Sequence, residues 1–184
     1  MKTIYRGNIL IAEPSIMGDV LFSRSVIFLT DYSQEGAVGF ILNKPSNLFL
    51  DAFFEDIPNL FRVYYGGPVQ EDNLYFIHQR PDIISNSQKI SNGVYWGGDF
   101  DEVIRNIQAK KLAVNDIKFF LGYSGWNSQQ LADELTMNAW VVSNNIAPHQ
   151  VFLSTRTSFW KEKIKSLGNE YLMWVNSPDD PQMN

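Results

Sequence analysis

Short apolar runs punctuated by turn residues dominate the first half of the chain, and helical spacing becomes common in the second. Residues 8–12 form an apolar run closed by Pro14. Residues 25–30 and 37–42 are two more, and Gln34-Glu35-Gly36 between them has the turn chemistry of a β-hairpin. Asn43-Lys44-Pro45 ends the second of these strands. Leu50, Phe53, Phe54 and Ile57 follow the i, i+3, i+4, i+7 pattern of one helix face, which predicts a helix over residues 48–57 stopped by Pro58. Short strands are predicted at 62–65, 74–78 and 93–96, the first running into Gly66-Gly67-Pro68 and the last into Gly97-Gly98.

Asp99 with Glu102 has the outline of a capping box, and Val103, Ile104 and Ile107 give the helix that follows an apolar face. Residues 117–121 read as a strand and Gly122-Tyr123-Ser124-Gly125-Trp126 as a tight connection. Ser128 is placed to cap a helix carrying Leu131 and Leu135. A strand at 139–142 precedes a last helix that opens near Thr157 or Ser158. That helix shows Trp160, Ile164 and Leu167 on one stripe and meets Gly168 as a left-handed cap. About eight short strands in hairpin-like runs, with three or four helices, argue an α+β fold around a mostly antiparallel sheet. The many short strands with double-glycine corners suit a bent, barrel-like sheet.

The length of 184 residues favours one domain, assigned to residues 1–174. The polar, proline-punctuated segment 175–184 is expected to be a flexible tail. A chain of this size buries roughly 70% of its unfolded surface, so it needs no disulfide or metal to fold. There is no cysteine, which removes thiolate nucleophiles, thiolate metal sites and iron–sulfur clusters together. The first residues lack the apolar core of a signal peptide, and no apolar run reaches the length of a membrane span. A cytoplasmic protein that does not enter the membrane is expected. The net charge of −5 opposes direct nucleic-acid binding, which needs basic residues against phosphates. Lys161, Lys163 and Lys165 read as a solvated helix surface.

Candidate chemistry is sparse. The two histidines, His78 and His149, form no metal-ligand motif, and no metal or cofactor is expected. Gly122-Tyr123-Ser124-Gly125-Trp126 begins like a nucleophile turn, but its second glycine falls one residue early. Gly66-Gly67-Pro68 lacks the lysine of a phosphate loop, and Pro68 removes one backbone donor. Free N–H groups at such a corner remain suited to an anion. His78, at the end of its strand, reads as a backbone-bonded core histidine or as a general base. Arg24 reads as an internal ion-pair partner or as an anchor for a carboxylate or phosphate.

The ordered set of segments resembles the YqgE/AlgH family. The matching pieces include Asn8 to Pro14, Phe22-Ser23-Arg24-Ser25, Gly36 to Pro45, Gly66-Gly67-Pro68-Val69, His78, Leu121 to Trp126, Gln130-Leu131, Glu134-Leu135 and Asn138-Ala139-Trp140. They span roughly residues 7 to 168. The chain departs from the family pattern at Lys44, where arginine is common, and at Ala132, where a glutamate is usual; Glu134 is kept. The resemblance implies a bacterial, cytoplasmic protein with a barrel-like sheet ringed by helices, in a family whose members often carry a transcriptional-regulator label.

The reading that follows is a non-enzymatic regulatory or binding module for a small anionic ligand or a protein partner. Its expected cleft gathers Arg24, Asn43, Gly66, Gly67, Pro68, His78, Gly122, Trp126 and Gln130. The alternatives are an enzyme using His78 as base and Arg24 as electrostatic anchor, or a DNA-associated regulator.

Overall fold

The structure is a computed structural model that describes residues 3–14, 21–144, 146–153 and 158–175. Among these, ten strands form one curled sheet that does not close into a barrel. The strands are β1 (Ile9–Ala12), β2 (Val26–Ser33), β3 (Gly36–Ile41), β4 (Pro45–Phe49), β5 (Arg62–Tyr65), β6 (Val69–His78), β7 (Gln88–Ser91), β8 (Val94–Trp96), β9 (Ile117–Asn127) and β10 (Trp140–Ser143). Their order is β10-β1-β2-β3-β9-β6-β8-β7, with β4 and β5 branching from β9. Every pairing is antiparallel except β5 with β9. The helices are α1 (Phe100–Gln108), α2 (Gln130–Thr136), α3 (Pro148–Leu153), α4 (Ser158–Leu167) and α5 (Leu172–Val175). The architecture is α+β, as the runs of hairpin-like strands predict.

Successive strand residues point to opposite faces, and the core divides accordingly. Ile9 and Ile11 of β1, Val26 and Phe28 of β2, and Phe120 of β9 face one side, where Val151 and Phe152 of α3 and Phe159, Trp160 and Ile164 of α4 cover them. On the other side, Leu10, Ala12, Ile27 and Leu29 pack with Trp126, Trp140 and Leu131 of α2. Further along that side, Phe76, Ile117 and Phe119 pack with Val103 and Ile107 of α1. One sheet therefore carries a single core on its inner face and two on its outer face.

Several local expectations are corrected. Residues 48–57 form no α-helix: β4 runs to Phe49 and a single 3-10 turn follows at Leu50–Ala52. The Leu50 N–H is taken by Phe61 O at 2.8 Å, so the backbone pairs laterally there, and the Leu48 N–H is taken locally by the Ser46 Oγ at 3.0 Å rather than by a helical carbonyl. The stretch 122–126 is no connection but the second half of β9, the longest strand. Gln129, not Ser128, is the N-cap residue of α2 and makes no side-chain cap bond; just before it, Asn127 Oδ1 accepts from the backbone N–H groups of Gln129 at 3.2 Å and Gln130 at 2.9 Å. Asp99 does cap α1 through Glu102 N, while the Glu102 carboxylate turns outward to Ser85 N. Lys163 is buried rather than solvated, with Nζ donating to Gln150 Oε1 at 3.0 Å. Strands β4 and β7 and helices α3 and α5 are additional to the predicted elements. Thr157 and most of the expected tail, residues 176–184, lie outside the described residues.

Candidate functional site

The nine residues expected in one cleft fall into four local groups, of which the first two adjoin, since Ile41 N donates to Gly66 O at 3.0 Å and Tyr65 N to Lys44 O at 2.9 Å. Arg24 and Asn43 form the first. Arg24 sits at φ 53° just before β2, a left-handed conformation costly for a non-glycine residue. Asn43 staples this turn: its Nδ2 donates to Arg24 O at 2.9 Å and its Oδ1 accepts from Val26 N at 2.9 Å. The Arg24 guanidinium lies over the Trp160 ring at 5.3 Å, on the inner face.

Gly66, Gly67 and Gly122 form the second place, where β5 turns against the kinked middle of β9. Gly122 adopts φ 65°, and a Cβ there would fall 2.4 Å from Gly67 O. A Cβ on Gly67 would fall 2.3 Å from Ser124 N. The chains cross backbone to backbone, which only glycine permits. Both backbone polar groups of Gly66 are engaged: its N donates to Leu121 O, and its O accepts from Ile41 N and from Ser124 Oγ. Gly66 and Gly67 are buried while Pro68 is exposed.

His78 stands alone in the third place, on the outer face with Phe76 and stacked on Tyr95 at 5.8 Å. Its Nε2 lies 3.1 Å from Gly97 O and its Nδ1 accepts from Arg80 N at 3.1 Å. This pattern requires the neutral imidazole with the proton on Nε2. Burial holds its pKa below the ordinary histidine value, against smaller opposing effects of the Gly97 carbonyl and Asp82. Arg24 and His78 thus face opposite sides of the sheet.

Trp126 and Gln130 form the fourth place, joined by Glu134 of α2. Glu134 Oε2 accepts the indole N–H of Trp126 at 2.8 Å and that of Trp140 at 2.6 Å, while Oε1 accepts from Gln130 Nε2 at 2.9 Å. One carboxylate fixes α2 to β9 and β10 together.

Beside this clamp lies a cavity that the sequence reading did not anticipate, a groove of about 610 Å³ between α2 and the end of the sheet. Leu131 and Leu135 of α2, Ala37 of β3, and Trp140 and Val142 of β10 give it an apolar wall on the outer face. Val141 also lines it, and that residue packs with the inner-face core. The groove therefore passes around β10, the end strand of the sheet. Glu13 and Tyr171 line it too; they are close enough that the Glu13 charge adds to burial and Glu170 in raising the Tyr171 pKa. Glu13 is the one charged residue among the described lining residues. The sequence signal that reaches this place is the Glu134-Leu135 and Asn138-Ala139-Trp140 pair of segments, whose roles depend on a contact between helix and strand that spacing alone does not reveal.

Two chemical features are absent among the described residues. No group of three or more His, Asp or Glu is placed to hold a metal ion. No helix is long and apolar enough to cross a membrane.

The whole chain is similar to known proteins. A UPF0301 protein of Parabacteroides distasonis is 38% identical over 182 residues, covering 97% of this chain and 91% of that one. A UPF0301 protein of Cytophaga hutchinsonii is 37% identical, covering 97% and 98%. The solution structure of the AlgH protein from Pseudomonas aeruginosa superposes with a TM-score of 0.74 at 27% identity, covering 98% of this chain and all of that one. A Corynebacterium diphtheriae protein shares the fold, with a TM-score of 0.77 at 18% identity over 96% and 94% of the chains. The AlgH-like family profile matches residues 9–172, and the chain belongs to that family.

Proposed function

We propose that this protein is a non-catalytic binding module whose site is the groove between α2 and β10. The observation that carries this reading is the groove itself. Its volume of about 610 Å³ falls in the range typical of small-molecule sites, and it combines an apolar wall with a few polar groups. The Glu134 clamp supports it by holding α2 and Trp140 in fixed relation before any ligand arrives.

The enzymatic alternative draws less support. A general base needs a nitrogen that can reach a substrate proton, and both ring nitrogens of His78 are engaged with backbone in a fully buried setting. The anion expected at the glycine corner has less support too, because the Gly66 N–H is already bonded to Leu121 O. A regulatory role, through a ligand or a protein partner, is compatible with a binding module and is proposed only in that form.

A thermal-shift screen of nucleotides, phosphorylated metabolites, small acids and small amines at millimolar concentration tests the reading. A ligand at about 100 times its Kd stabilises by about 2.7 kcal/mol. The expected result is a stabilising compound whose effect disappears in Ala132→Trp, a substitution at an exposed lining position that fills the groove without touching the core. Stabilising compounds that act equally on the filled variant overturn the groove as the site.

A further inference from the structure

Resting on the groove reading, we propose that the ligand carries an unbranched aliphatic chain, which lies along the wall made by Ile4, Leu131, Leu135, Trp140 and Val142 while its head group stays in solvent. What this wall offers is hydrocarbon. Its side chains belong to or pack against one outer-face core, and they come from the N-terminal segment, α2 and β10. Polar side chains around the wall are already committed to nearby backbone. Ser33 Oγ accepts from Glu35 N at 3.1 Å, Asn127 Oδ1 accepts from Gln129 N and Gln130 N, and Thr136 Oγ1 donates to Ala132 O at 2.9 Å. The Trp140 indole N–H goes to Glu134 rather than into the groove. A polar ligand group placed against this wall would lose water and meet carbon, whereas methylene groups gain by leaving water.

Two features favour a chain over a ring system. Trp140 already meets Phe22 at 5.7 Å and Trp126 at 6.0 Å, both edge to face, and it is buried, so little of its ring is left for stacking on a ligand. Tyr171 is likewise engaged edge to face with Trp174 at 4.8 Å. The groove also bends, since Val142 lines it on the outer side of β10 and Val141 on the inner side. A chain with free torsions follows such a bend, and a fused planar body does not. The volume of about 610 Å³ suits one small molecule.

Uncharged probes read the chain alone: 1-hexanol, 1-heptanol and 1-octanol, each titrated into the intact protein while backbone amide shifts are followed by NMR. 2-Naphthol serves as a flat probe of similar hydrophobicity, and 1,6-hexanediol as a chain that is polar at both ends. The shifts should concentrate at residues 131–142, and each added methylene should tighten binding about three- to fourfold. 2-Naphthol should bind more weakly than 1-octanol, and 1,6-hexanediol more weakly than 1-hexanol. In Ala132→Trp, at an exposed lining position, the gain per methylene should shrink because the groove is shortened. Groove shifts without dependence on chain length overturn the aliphatic assignment while the groove reading stands. Tighter binding of 2-naphthol than of 1-octanol, or equal binding of 1,6-hexanediol and 1-hexanol, overturns it in the same way. No shift at the groove amides from any probe, or a series unchanged in Ala132→Trp, overturns both readings.

Discussion

Trp126 and Trp140 meet edge to face at 6.0 Å and donate their indole N–H groups to the same oxygen of Glu134. Both rings are buried, so removing the carboxylate leaves two indole donors without an acceptor. Glu134→Ala should cost about 2–4 kcal/mol of stability, the range for losing charge-assisted bonds to buried donors. Glu134→Gln keeps one carbonyl acceptor and should cost less. Urea unfolding of both variants checks the order. Equal stability of Glu134→Ala and wild type would show that the clamp contributes nothing.

Much of the sheet was readable from the chain because its strands are short, apolar and separated by turn residues with a definite mechanism. The β2–β3 hairpin and the Asp99 cap are examples in which local chemistry decides the outcome. Local chemistry misleads where a lateral partner competes. Leu50, Phe53, Phe54 and Ile57 have helical spacing, but Phe61 O captures the Leu50 N–H and a strand with a 3-10 turn results. Strand β7 escapes notice because Ile90 is its one buried residue. The groove was not legible at all. Its walls come from residues near positions 13, 37, 131, 141 and 171, which only the sheet order brings together. Conversely, Arg24 and His78 are prominent in the sequence yet lie on opposite faces, since polarity marks a residue as special without saying which side of a strand it occupies.

The crossing of Gly67 and Gly122 leaves no space for a side chain. A methyl on Gly122 would meet Gly67 O at 2.4 Å and Val69 O at 2.9 Å, both backbone atoms that cannot rotate away. The positive φ of 65° adds a conformational cost for any L-residue. Gly122→Ala should therefore destabilise by more than about 3 kcal/mol, comparable to the larger effects seen for backbone strain and overpacking. Soluble yield and thermal melting read this directly. A melting temperature within a few degrees of wild type, about 1 kcal/mol for a chain of this size, would mean that the crossing relaxes easily.

His78 makes stability depend on pH in a definite direction. Burial lowers its pKa in the folded chain, so as the pH falls through about 6.5 the unfolded chain takes up a proton that the folded chain refuses. Stability due to this residue is therefore complete above that value and declines below it, toward the lower folded pKa. His78→Gln removes the titration and should flatten that decline. Urea midpoints at several pH values between about 7.5 and 5, compared between wild type and variant, cancel the contributions common to both. Parallel curves would show that the imidazole titrates alike in both states.

Lys118 presents the same linkage at alkaline pH, with a test of which force dominates. Its side chain is buried in the sheet, with Nζ 4.1 Å from the Tyr64 ring centroid and 3.4 Å from Val151 O. The ring face and the carbonyl favour the ammonium, but burial pushes the amine well below the ordinary lysine range. An unfolded lysine holds its proton up to about pH 10.4, so this residue opposes folding at neutral pH and does so less as the pH rises toward that value. Lys118→Met keeps an unbranched side chain of similar length and removes the buried amine. It should stabilise the protein by about 1–3 kcal/mol near neutral pH, with the gain shrinking as the pH rises. Thermal or urea unfolding at two or three pH values between about 7 and 10 measures both features. A variant less stable than wild type at neutral pH would mean that the contacts with Tyr64 and Val151 outweigh the cost of burial, and that Lys118 is charged in the folded protein.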